Sequence, residues 1–120
     1  ADMGSAYLLP RVVGLGRATE LLLLGESVDA ERAVAIGLAT KVVADADLSG
    51  SAGDLARSFA SGPALAYGAT KVLIGRELDM DLGSAIELEA FTQALLMTTE
   101  DHAEFYRAFT GKRPPEWTGR

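Results

Sequence analysis

Asp2-Met3-Gly4-Ser5-Ala6-Tyr7-Leu8-Leu9-Pro10-Arg11-Val12-Val13-Gly14-Leu15-Gly16-Arg17-Ala18-Thr19-Glu20-Leu21-Leu22-Leu23-Leu24-Gly25 is the stretch on which the rest of this chain depends. A carboxylate leads, with Gly4 and Ser5 close behind it and an apolar run, Tyr7 to Leu9, after them. Pro10 to Gly16 reads as a loop feeding a helix, Gly16 to Leu24, that Gly25 stops. Glycine takes left-handed backbone angles at little cost, so Gly4, Gly14 and Gly16 mark turns and Gly25 a helix C-cap. Two readings of Asp2 stay open on these residues: a cap on the short helix that follows, or a base desolvated by the apolar surface beside it.

Beyond that stretch the chain continues as helices. Asp29 caps a helix, Ala30 to Ile36, that Gly37 ends. Thr40-Lys41-Val42-Val43 is the best strand candidate, too short to form a sheet alone. Asp45 to Ser51 reads as a loop with Asp47 as an N-cap. Leu48, Leu55 and Phe59 suggest a helix ending near Ser61. Gly62-Pro63 breaks the chain before a helix, Ala64 to Leu78, with Leu65, Ala69, Val72 and Leu73 on one side. Leu82 to Met97 is the longest helix, capped by Asp81 or by a Ser84/Glu87 box. Its stripe Leu88, Phe91, Leu95 is widened by further apolar residues, as in helices covered on several sides. Thr99 opens a last helix, Glu100 to Thr110, stopped by Gly111, and Pro114-Pro115 keeps the tail out of it. The expectation is a mainly α chain of six or seven helices with at most one short strand pair.

Composition narrows the function classes. With 120 residues, 48% hydrophobic and 23% charged, the chain suits one small globular domain. A net charge of −6 argues against nucleic-acid binding. There is no cysteine, hence no thiol nucleophile and no cysteine-based metal site, and the sequence offers no other metal cluster. Nothing in it is long and apolar enough to span a bilayer and no signal pattern is present, so no membrane partner and a cytoplasmic location are expected. The sole histidine, His102, lies beside Glu100 and Asp101 and reads as an exposed, non-catalytic residue. Gly14-x-Gly16 lacks the third glycine of a dinucleotide fingerprint, and Asp79-Met80-Asp81 is too sparse for a calcium loop. The C-terminal region gathers Arg107, Lys112, Arg113 and Arg120 among Phe105, Tyr106, Phe109 and Trp117. Cations at a helix end complement its dipole; the same set could form an anion site beside an aromatic surface.

Taken in order, Asp2, Gly4, Leu9-Pro10-Arg11, Val13-Gly14, Arg17-Ala18, Glu20-Leu21, Ala33, Gly37-Leu38, Lys41-Val42-Val43, Ala69, Lys71 and Phe109-x-x-Lys112-Arg113 resemble the crotonase superfamily of enoyl-CoA hydratases and isomerases. The resemblance covers essentially the whole chain. It implies the C-terminal helical part of an α/β crotonase (ClpP/crotonase-like) fold. Within it, residues 1–78 would close the core and active site, and residues 79–120 would form an oligomerisation and coenzyme A contact region. Asp2 would be the catalytic carboxylate, with Met3 and Gly4 meeting the substrate. Phe109 and Lys112 would meet the adenine and 3′-phosphate of coenzyme A. Ala1 stands where the family usually has Pro. The implied substrate is an acyl-CoA thioester, with no cofactor beyond the substrate's own coenzyme A. The implied partners are the N-terminal part of the same enzyme, which supplies both oxyanion amides, and further copies in a trimer or hexamer. A fragment of a longer chain is therefore expected, inactive by itself. The rival expectation is a non-catalytic helical assembly or coenzyme A contact module.

Overall fold

Asp2 to Ser5 form a tight turn in which the Ser5 N–H donates to the Asp2 carbonyl at 2.9 Å. Both central residues have positive φ, 49° at Met3 and 83° at Gly4. That pattern belongs to the type I′ turn, which glycine enters freely and methionine does not. The computed structural model describes residues 1–120, in two units, Ala1–Ser51 and Ala52–Arg120.

In the first unit the turn leads directly into α1 (Ser5–Val13), which runs through Pro10. The expected loop from Pro10 to Gly16 is thus wrong: it shrinks to Gly14, and Gly16 lies inside α2 (Leu15–Leu24). A proline inside a helix removes one backbone bond and costs about 3 kcal/mol. Packing offsets it here. Val13, Ala18 and Ile36 form the buried cluster of this unit, with Leu9, Leu21 and Val28 against it. Stopping the helix at Pro10 would strip Val13 from that cluster. Arg11 adds local support, its Nη1 donating to the Tyr7 carbonyl at 2.9 Å and its guanidinium lying 3.6 Å from the Tyr7 ring centroid. The reversal between α1 and α2 falls on Gly14, at φ 85° and ψ 155°, a region open essentially to glycine alone. Asp29 caps α3 (Ala30–Ala35) by accepting from the Arg32 N–H at 2.7 Å.

No strand forms at Thr40–Val43; the segment is irregular. Four β-branched or extended residues without a second strand have no ladder to join. Asp45–Asp47 is a single 3₁₀ turn, and α4 (Leu48–Ala60) follows at once, so the expected loop to Ser51 is largely helical.

The second unit contains most of α4, then α5 (Ala64–Glu77), α6 (Leu82–Leu96) and α7 (Glu100–Thr110). Asp81 rather than Ser84 caps α6: its carboxylate accepts from the Ser84 N–H at 3.1 Å and from the Ser84 hydroxyl at 2.6 Å. The face of α6 that is half-buried is Ala85, Leu88, Thr92 and Leu96, whereas Phe91 and Leu95 of the expected stripe are exposed. That face mixes the small Ala85 and Thr92 with Leu88 and Leu96. Across the chain only Val13, Ala18, Ile36 and Ala108 are buried apolar residues.

Candidate functional site

Thr99 caps α7, its hydroxyl oxygen accepting from the His102 N–H at 3.2 Å. The buried face of α7 is acidic: Asp101 is 4% and Glu104 7% exposed, beside Ala108. Buried carboxylates require partners, and the tail supplies them. Asp101 Oδ1 accepts from the Thr118 N–H at 2.6 Å and from the Thr118 hydroxyl at 3.1 Å, and Oδ2 accepts from the Gly119 N–H at 3.0 Å. The Asp101 N–H in turn donates to the Arg120 carbonyl at 3.0 Å. Glu104 takes the Arg113 fork, Nη1 to Oε1 at 2.6 Å and Nη2 to Oε2 at 3.0 Å, and the Glu116 N–H at 3.0 Å. The tail is therefore strapped along α7.

These bonds shift both acids. The Thr118 N–H above all, against the opposing effect of burial, holds the Asp101 carboxyl below the usual range. The Arg113 fork, then the Glu116 N–H, lower Glu104 from 4.5 to about 2. A carboxyl that titrates lower when folded stabilises the fold above its unfolded value and loses that contribution as the pH falls to its folded value. The strap should thus hold above pH 4.5 and release as the pH falls toward about 2. Trp117, the sole tryptophan, is half-buried in the strap and reports it. Its emission should move to the red across that window; emission that stays constant down to the bottom of it would refute the release.

The left-handed residue at this helix end is an unexpected one. Gly111 has an ordinary right-handed φ of −81°. Lys112 takes the left-handed position, at φ 49°. The Lys112 N–H donates to the Phe109 carbonyl at 3.3 Å and the Arg113 N–H to the Ala108 carbonyl at 3.1 Å. Together they make a Schellman ending whose left-handed residue is normally glycine. The helix ends at Thr110 with Gly111 as its C-cap, as expected, and the left-handed residue follows it, at Lys112.

The four cations of this end also separate. Glu104 binds Arg113 and, at 3.3 Å, Arg107, and Arg120 lies 4.0 Å from Glu100. Lys112 has no ion pair. Nearby, Phe109 is 73% exposed and stacks on Phe105 at 6.1 Å between centroids. His102 is half-buried rather than exposed. It lines an apolar cavity of about 220 Å³ with Phe105, Leu96 and Trp117.

In the first unit, Asp2 is exposed and caps nothing. The N-cap of α1 is Gly4, with no side-chain bond. The cap reading of Asp2 is thereby removed, and the desolvating surface is not found next to Asp2 in this chain. Met3 is 97% exposed. No group of acids and histidine could hold a metal ion, and no helix is long and apolar enough to cross a membrane.

A profile described as enoyl-CoA hydratase/isomerase matches residues 1–120. The chain is 38% identical over 119 residues to 1,2-epoxyphenylacetyl-CoA isomerase of Escherichia coli (strain K12), covering 99% of this chain and 45% of that protein. It is 31% identical over 113 residues to the short-chain-enoyl-CoA hydratase of Clostridium acetobutylicum, covering 94% of this chain and 43% of that protein. A crystal structure from Streptomyces coelicolor A3(2), itself assigned as an enoyl-CoA hydratase, superposes with a TM-score of 0.96 at 58% identity, over 100% of this chain and 44% of that one. The chain thus spans less than half the length of these relatives.

Proposed function

The chain belongs to the enoyl-CoA hydratase/isomerase family, and from that premise we propose that it supplies the C-terminal part of an enzyme that moves a proton next to the carbonyl of an acyl-CoA thioester. The match over residues 1–120 carries this reading. Asp2 removes a proton from the carbon next to the carbonyl, the electron pair passes into the thioester as an enolate, and the proton returns elsewhere on the acyl chain. An uncapped carboxylate on a turn fixed by two left-handed residues suits that role. The enolate needs preorganised donors, which lie outside residues 1–120 in this proposal, as does the surface that desolvates Asp2. Met3 and Gly4 line the acyl group; Phe109 and Lys112 meet the adenine and 3′-phosphate. No cofactor beyond the substrate's coenzyme A is used, and the enzyme works in the cytoplasm.

The direct test follows solvent deuterium. With the complete enzyme and a 3-enoyl-CoA ester in deuterium oxide, the 2-enoyl product should carry deuterium, read by NMR. No exchange and no conversion would overturn the proton-transfer reading.

The roles divide in this proposal at residues 78 and 79, active-site closure before and subunit and coenzyme A contacts after. Leu82, Phe91 and Leu95 of α6 are exposed by 76%, 65% and 71%, and apolar residues in such number mark interaction surfaces. The complete enzyme is accordingly a homo-oligomer, a trimer or hexamer. Light scattering that gives a monomer at high concentration would remove that assignment.

A further inference from the structure

Glu104 does more than balance a charge. It lies one turn of helix before Ala108, whose carbonyl receives the Arg113 N–H. Its carboxylate receives the Arg113 guanidinium through both nitrogens, and the Glu116 N–H beyond it. Arg113 is therefore held at its backbone by α7 and at its side chain by Glu104. The residue just before it, Lys112, has its own N–H tied to the Phe109 carbonyl. Between these fixed points the left-handed conformation of Lys112 is over-determined. A non-glycine residue keeps such a conformation only where its surroundings impose it.

The same carboxylate also removes competitors. Arg113 follows Lys112 and the Arg107 carbonyl accepts from the Gly111 N–H just before it, and a free guanidinium binds phosphate with two donors where an ammonium offers a point contact. With both drawn onto Glu104, the ammonium of Lys112 is the cation left to meet an anion beside Phe109.

We propose that Glu104 is a positioning residue for Lys112, fixing its left-handed backbone through Arg113 and holding both neighbouring guanidiniums away from the phosphate it binds. This rests on the reading of Lys112 as the contact to the 3′-phosphate of coenzyme A.

The test is a coupling measured on the complete enzyme. The quantity is the ratio of KM for 3′-dephospho-coenzyme A esters to KM for coenzyme A esters. Lys112→Ala should lower this ratio about fivefold in the otherwise unaltered enzyme. In the Glu104→Gln background the same substitution should lower it by less than about twofold, because Lys112 is then misplaced or displaced by a freed arginine. A merely structural role for Glu104 would leave the Lys112 effect at its full size in both backgrounds, and that result would overturn the proposal while sparing the phosphate reading. A Lys112→Ala ratio unchanged in the unaltered enzyme would remove the phosphate reading and this proposal with it. Should Glu104→Gln not fold, Arg113→Lys serves instead. It keeps the charge but not the two-pronged contact, and it should also shrink the Lys112→Ala effect. A Lys112→Ala effect of full size in that background counts against the proposal equally.

Discussion

Asp2→Asn in the complete enzyme is expected to lower turnover about 10²-fold or more, the usual contribution of a positioned general base. The amide has the same shape and cannot take the proton. Folding should not suffer, since the Asp2 carboxylate caps no helix: Ser5 bonds to the Asp2 carbonyl, which the variant retains. Affinity for the coenzyme A ester should change little, because in the proposed mechanism this residue meets only the reacting carbons. Rate and stability therefore separate, and kinetics with thermal melting on the same sample reads both. An Asn variant with near-normal turnover would leave Asp2 without a chemical role.

Lys112 gives the second large effect, because strain and function oppose each other there. A left-handed non-glycine residue costs roughly 1–2 kcal/mol. Lys112→Ala and Lys112→Gly both remove the ammonium, so both should reduce the preference for coenzyme A over 3′-dephospho-coenzyme A esters about fivefold. They should differ in stability, the Gly variant melting as the firmer of the two by about 1 kcal/mol. Were Lys112 only a charge on the helix dipole, worth about 0.3–1 kcal/mol, neither variant would distinguish the two ligands. Calorimetric titration of both ligands decides the matter.

The local features of this chain were legible in its sequence. Asp29, Asp81 and Thr99 cap helices because a short polar side chain reaches an amide three residues ahead, at Arg32, Ser84 and His102. A reader of sequence sees that spacing directly. Pro10 misled, since its cost is offset by Val13 meeting Ile36, a contact 23 positions along the chain. Phe91 and Leu95 misled for a related reason: periodicity shows that a helix is apolar, not which neighbour takes which face. The order and spacing of Leu9-Pro10-Arg11 and its companions disclosed the family, and composition alone would not have done so.

Asp2, Phe109 and Lys112 enter the proposed site through resemblance. The strap was not legible in the sequence. Asp101 and Glu104 looked like ordinary acids in the first turns of a helix, yet their partners lie 9 to 18 positions away, at Arg113, Glu116, Thr118 and Gly119. Nor did any local signal separate Lys112 from the cations around it. Gly111 drew attention as the natural stop, and the left-handed angle fell one residue later. An acidic pair at 101 and 104 ahead of an arginine-bearing, proline-containing tail is the pattern that could have exposed it.

Four buried apolar residues in 120 carry a thermodynamic consequence. Unfolding raises heat capacity because apolar surface becomes hydrated, typically by about 12–15 cal/mol/K per residue. Much of that surface is already hydrated in this chain by itself, so its increment should fall well short of the usual value and its stability should vary gently with temperature. In the proposed assembly the missing heat capacity belongs to association. It should be released when the exposed faces of α4, α5 and α6 meet their covering surfaces, as a large negative heat-capacity change of binding. On that proposal, the thermal signature of this chain's hydrophobic core is written in assembly rather than in folding.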